Sequence, residues 1–278
     1  MALTPSAIIL GLRVAPSVNA PHRSRQSNHF YRRGDGQNYA LDVPELRDTF
    51  LAADSLNERI RAFRTERLRL IFDNHGPELL ALGAQFVLHV IPLSAFKSRL
   101  RIVIDPNRRE LGDLEPMGNL GSSGRVNLDG YIRYYRDAER AAAYSMLFRN
   151  GIIEGVQIFV PQSRGTNIPE RLIPSSILGE NLRAAVRRYF RILKACGIDP
   201  PIVLFVSLLG VHDYVFAVPQ SSAPFHRADR SNISLPEVIV DSLDTEPDRL
   251  LKPMLDVLWN AFGLERCTLY DGEGKWRR

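Results

Sequence analysis

Cysteine is nearly missing from this 278-residue chain: Cys196 and Cys267 stand far apart, with no spacing that suits a metal and no framework of pairs. That excludes a disulfide-stapled secreted scaffold and agrees with a reducing, cytoplasmic setting. No apolar run approaches the roughly 18 residues that span a bilayer, so no membrane partner is expected. The apolar stretch Ala7-Ile8-Ile9-Leu10-Gly11-Leu12 is short and has no basic segment before it, and it reads as a buried strand over 7–15 rather than a signal sequence. Lysine is rare, so arginine carries most of the +5 net charge. Such a balance favours phosphates or other acidic partners and says nothing of fold. Internal repeats and low-complexity tracts are absent too. What is present is ordinary globular material: 45% hydrophobic and 24% charged residues, enough chain for one large domain or two.

Several elements can be placed from pattern. His29-Phe30-Tyr31-Arg32-Arg33 reads as a short strand ended by Gly34-Asp35-Gly36, after a polar loop that holds His22, Arg23 and Arg25. Asp42 as cap, Pro44 in the first turn and Glu45 as charge favourable to the dipole open a helix, and Ser55 with Glu58 has the form of a capping box, which predicts a second helix ending at Asn74 and Gly76. Gln85–Ile91 is a strand stopped by Pro92. Residues 97–124 read as a long connection, so the expected organisation is 1–96, then this connection, then 125–278.

In the later segment, Val126–Tyr135 reads as one strand. Strands near 142–149 and 152–159 flank Asn150-Gly151, a dipeptide suited to a type I′ turn. Counting outward from that turn pairs Phe148 with Ile153 and Met146 with Gly155. Tyr144, Met146, Phe148, Ile153 and Phe159 then share one face, while Leu147, Arg149, Ile152, Glu154 and Val156 share the other, with Arg149 available to Glu154. A helix is predicted over 176–196, closed by Gly197, with Leu182, Val186, Phe190 and Leu193 inward. Pro201–Leu209 reads as a strand covered on both faces; Tyr214–Val218 and Pro236–Asp241 add two more, and a helix over 247–262 follows. The predicted class is α+β: a largely antiparallel sheet with helices packed on one side, in two lobes.

A group of motifs resembles a known family. Asn19-Ala20-Pro21-His22, Phe30-Tyr31-Arg32-Arg33-Gly34 and Leu41-Asp42-Val43 with Glu45-Leu46 and Phe50 look like the end of a bacterial Schlafen AlbA-type domain. Leu147-Phe148-Arg149-Asn150-Gly151-Ile152-Ile153-Glu154, Leu208-Leu209-Gly210-Val211 and Tyr270-Asp271-Gly272-Glu273-Gly274-Lys275-Trp276 are similar to the C-terminal extension of such proteins. The resemblance implies a DNA-binding or ATP-binding protein, often a transcriptional regulator, with RNA-cleaving relatives that use an acidic cluster. It begins inside the domain, so the part that would hold a nucleotide site or acidic cluster is expected to be missing.

Candidate sites follow. Arg23, Arg25, Arg32 and Arg33 around Tyr31 suit a phosphate backbone with a ring to stack on a base; the competing reading is a wet surface turn whose tyrosine packs on the helix. The arginine-rich helices at 57–69 and 183–191 could extend that surface or be solvated faces. Gly118–Gly124 is glycine-rich but lacks the Lys-Ser/Thr ending of a phosphate loop. Asp129, Glu154 and Asp241 sit on separate strands, His212-Asp213 lacks a nucleophile, and His89 reads as a core histidine. Tyr270 and Trp276 suit a clasp on the C-terminus. No catalytic residue, cofactor or metal is assigned. The expectation is a nucleic-acid-associated regulatory protein, with a Schlafen-like nuclease or ATP hydrolase as one alternative and an assembly module, leaving oligomerisation open, as another.

Overall fold

A computed structural model describes residues 21–34, 36–97, 102–118, 121–161, 170–218 and 225–277. The strand expected over 7–15, Asn19-Ala20 and part of the glycine-rich stretch at 118–124 lie outside them. The elements in chain order are β1 (Tyr31–Gly34), β2 (Gln37–Ala40), α1 (Val43–Phe72), β3 (Ala84–Pro92), the short α2 (Ser94–Lys97) and a 3₁₀ turn at Arg109–Asp113. There follow β4 (Ser123–Val126), β5 (Gly130–Asp137), β6 (Arg140–Phe148), β7 (Ile153–Phe159), β8 (Leu172–Pro174) and α3 (Ser175–Ala195). The chain finishes with β9 (Ile202–Leu209), β10 (Val215–Ala217), β11 (Phe225–Arg227), β12 (Ile233–Ser234), β13 (Val238–Val240) and α4 (Pro247–Asn260).

The main sheet runs β12-β9-β3-β7-β6-β5-β4, with β13 also on β9, and every pairing in it is antiparallel. The α+β class and the antiparallel sheet are therefore as the pattern predicts. The helices, however, cover both faces of that sheet rather than one. Leu56, Ile60 and Ile71 of α1 pack with Val87, Tyr144, Met146, Val156 and Phe205 on one side. Leu182, Val186, Phe190 and Leu193 of α3 join Leu251, Leu255, Leu258 and Trp259 of α4 on Phe86, Leu88, Leu204 and Val206 on the other. β3 and β9, the central pair, are buried along their whole length, as a doubly covered strand must be. The connection at 97–124 joins strands of this one sheet, because β3 lies between β7 and β9.

Three local readings change. α1 is a single helix: Asp42 caps it as expected, and Glu45, read only as favourable charge in the first turn, reaches back to close a capping box (2.8 and 3.1 Å), but Ser55 and Glu58 sit exposed in its interior. Nothing at Ala52-Ala53-Asp54 breaks the helix, so the Ser55–Glu58 box has no end to cap. The stretch Val126–Tyr135 is two strands, split where the Asn127 side chain accepts from the Asp129 and Gly130 amides.

The hairpin at Asn150-Gly151 forms, with a different turn. Of its two central residues only Gly151 has positive φ, and the Gly151 amide donates to the Phe148 carbonyl. That is a type I turn followed by a left-handed glycine, a three-residue loop. Leu147 pairs with Ile153 and Met146 with Glu154, one residue away from the predicted register. A one-residue slip turns a whole strand over. Ile152, Glu154 and Val156 therefore join Tyr144, Met146 and Phe148 under α1, while Ile153 and Phe159 face α3.

Candidate functional site

The hairpin β1–β2 stands apart from the main sheet and is seated on the first half of α1. Its register pairs Arg32 with Tyr39 and Tyr31 with Ala40. Alternation along a strand then sends Phe30, Arg32 and Tyr39 to one side and Tyr31 and Arg33 to the other. The first side meets the helix: Phe30 sets its ring edge against Phe50 at 5.9 Å, and the Tyr39 hydroxyl donates to Glu45 at 3.0 Å. Tyr31 does not pack on the helix; it is 48% exposed, with the His29 ring 6.4 Å away. Arg23 and Arg25 lie on the loop before it, which folds back so that Arg23 bridges to Phe30. All four candidate arginines are exposed, and they form no ion pair among the described residues.

The helix arginines contrast with these. On α1, Arg67 holds Glu154 at 2.8 Å, Arg69 holds Glu66 and Asp73, Arg59 lies over the Phe96 ring and Arg64 donates to Ser207. On α3, Arg183 is paired with Asp248, Arg191 with Asp113 and Arg188 with the Glu115 carbonyl, while Arg187 is 3.9 Å from Glu246. The arginine faces at 57–69 and 183–191 are thus largely engaged within the protein. Elsewhere the buried Glu78 carboxylate takes both Arg125 and Arg136.

Sequence reasoning missed one constellation. Beneath α1, Glu154 is fully buried on the central strands. One carboxylate oxygen accepts from Arg67 and from the Tyr144 hydroxyl, and the other accepts from Arg67 and lies 2.9 Å from His89 Nε2. Burial alone would raise its pKa; the Arg67 and His89 hydrogen bonds outweigh that and hold it at about 2. Tyr144 is pushed well above its ordinary value, first by burial and then by the adjacent carboxylate. Among the described residues His89 Nδ1 has no hydrogen-bond partner, and Ser207, on the strand beside His89, accepts from Arg64. With Glu154, His89, Tyr144 and Ser207 buried on the sheet face beneath α1, this array fixes the helix to the sheet.

The other residues singled out do not converge. Asp129 and Asp241 are exposed and apart from Glu154, and among the described residues no group of three His, Cys, Asp or Glu could hold a metal ion. His212 and Asp213 are an exposed pair, with Asp213 also held by Arg171. Ser122, at the end of the glycine-rich stretch, is tied to Glu115 and Arg133. Cys196 and Cys267 are free thiols, the latter pushed up to about 12, chiefly by burial. The C-terminal clasp forms as expected: Trp276 meets Tyr270 edge-on at 5.1 Å and takes the Arg183 guanidinium over its face. Among the described residues no helix is long and apolar enough to cross a membrane.

Set against known proteins, the chain matches no family model, no curated protein and no solved structure.

Proposed function

We propose that this chain is a nucleic-acid-associated protein of the cytoplasm that holds a phosphate backbone on the hairpin β1–β2, in keeping with its resemblance to Schlafen AlbA-type regulators. The carrying observation is the contrast in arginine use. Most arginines of α1 and α3 are occupied by carboxylates, carbonyls or rings, whereas Arg23, Arg25, Arg32 and Arg33 are exposed without an ion pair among the described residues. Free guanidiniums on a small projecting hairpin are donors whose natural acceptors are phosphate oxygens. Tyr31 adds an open aromatic face beside Arg33, which favours a single strand whose bases can stack.

Filter binding to single-stranded and duplex oligonucleotides tests this at about 50 and 200 mM salt, a range over which phosphate contacts weaken steeply. Replacing Arg23, Arg25, Arg32 and Arg33 by alanine is expected to abolish most of that salt dependence. Tyr31→Ala should weaken single-strand binding by about 1–3 kcal/mol and leave duplex binding nearly unchanged. Absence of binding at low salt, or a quadruple variant that binds like the parent, refutes the reading.

A further inference from the structure

The first half of α1 has two sides of opposite character. Leu46, Thr49, Ala53, Leu56 and Ile60 follow the helical repeat on the side that meets the hairpin and sheet, and each is at least partly buried. On the adjoining, outward-facing side lie Val43, Arg47, Phe50, Leu51, Asp54 and Glu58, all exposed. Val43 is 80% exposed, Leu51 54% and Phe50 46%, the last despite its contact with Phe30. Isolated exposed hydrophobic residues need no explanation, but a stripe of three rimmed by charge marks an interaction surface. Arg47, Asp54 and Glu58 form no ion pair among the described residues.

The order of charges along this stripe identifies its occupant. The apolar pair Phe50 and Leu51 is central, with a cation one turn before it and an anion one turn after it. If two such helices cross antiparallel about a two-fold axis at the Phe50–Leu51 step, Phe50 of each copy meets Leu51 of the other. Arg47 of each then meets Asp54 of the other, twice over by symmetry. A two-fold interface uses the same patch on both subunits, so it must be self-complementary, and this stripe is. We infer that the chain associates with a second copy of itself through an antiparallel pairing of α1 over residues 43–58. The hairpin touches the stripe at Phe50, through Phe30, but Tyr31 and Arg33 lie on the hairpin side turned away from the helix, so each protomer keeps them exposed; the inference is independent of what the hairpin binds.

Charge exchange tests it by light scattering and sedimentation of the full chain. The parent is expected to run at twice the 31.4 kDa of one chain, in a concentration-dependent manner. Arg47→Asp and Asp54→Arg should each shift dissociation at least tenfold toward the monomer. Mixing the two variants should restore the dimer, because one contact then joins the introduced aspartate to the introduced arginine and the other keeps the native Arg47 and Asp54 pair. The double variant, with both contacts reversed, should also dimerise. A parent that is monomeric at every concentration, as it would be if another part of the chain covered the stripe, overturns the inference. So do single variants that dimerise like the parent, or a mixture that does not recover.

Discussion

Glu154 is ionised where water cannot reach it because four hydrogen bonds replace hydration: two from Arg67, one from Tyr144 and one with His89. Removing one partner of such a buried pair is far costlier than never having built it, since the other charge stays behind unpaired. Glu154→Gln is therefore expected to lower stability by about 3–5 kcal/mol in urea unfolding. The pH dependence has a definite sign. The carboxyl falls from an ordinary 4.5 to about 2 in the folded chain, so its contribution, about 3 kcal/mol, is complete above pH 4.5 and is lost as pH drops toward 2. Urea midpoints compared between pH 6 and pH 3 should fall further for the parent than for Glu154→Gln; equal falls would mean that the carboxylate is not held by Arg67. Little of this was legible in the sequence. Arg149 was the arginine expected to meet Glu154, yet it donates to the Leu128 and Asn127 carbonyls. The true partner lies 87 positions earlier, on a helix whose rotation no local pattern reveals.

At the scale of elements, the ends that follow local chemistry could be read in advance and the joins that depend on tertiary context could not. Asp42-x-x-Glu45 before an apolar repeat states a helix start by itself, and Gly197 with positive φ closes α3 as read. Ser55-x-x-Glu58 carries the same letters but lies inside a helix that continues, so the motif signals a start only where the chain has a reason to leave the helix. Likewise Asn150-Gly151 announces a hairpin, but its loop length, and so its register, depends on which residues take left-handed φ. A measurable consequence concerns the front of α1. From Val43 to Ser55 no residue is buried, whereas Leu56, Ile60 and Ile71 are. The front half should open locally, well below the energy of global unfolding. Asp42→Ala, which removes a cap and so about 1 kcal/mol, should speed amide exchange over residues 45–50 by about fivefold, with exchange over 60–71 and the thermal midpoint unchanged. An equal effect along the whole helix would show that it opens as one unit.

For the whole molecule, the placement of β3 decides how stability is shared. A strand from the first hundred residues forms the middle of a sheet whose other strands all come from residues 123–240, with eight pairings to β9 and seven to β7. Its two faces also split its side chains between the two cores: Val87, His89 and Ile91 lie under α1, and Phe86, Leu88 and Val90 lie under α3. Neither core can be complete while β3 is out of place, so the sheet with its covering helices should unfold in one transition although the sequence suggested two segments about the 97–124 connection. Leu88→Ala distinguishes the cases. The side chain is fully buried against the α3 layer, and its truncation should cost about 2–5 kcal/mol. In a single cooperative unit that loss moves one calorimetric transition to lower temperature, with calorimetric and van't Hoff enthalpies equal, and the Tyr144 environment, on the opposite face, melts together with Trp259 of α4. Two separated transitions, with only one of them moved by Leu88→Ala, would mean that the strands after residue 125 hold together without their central neighbour.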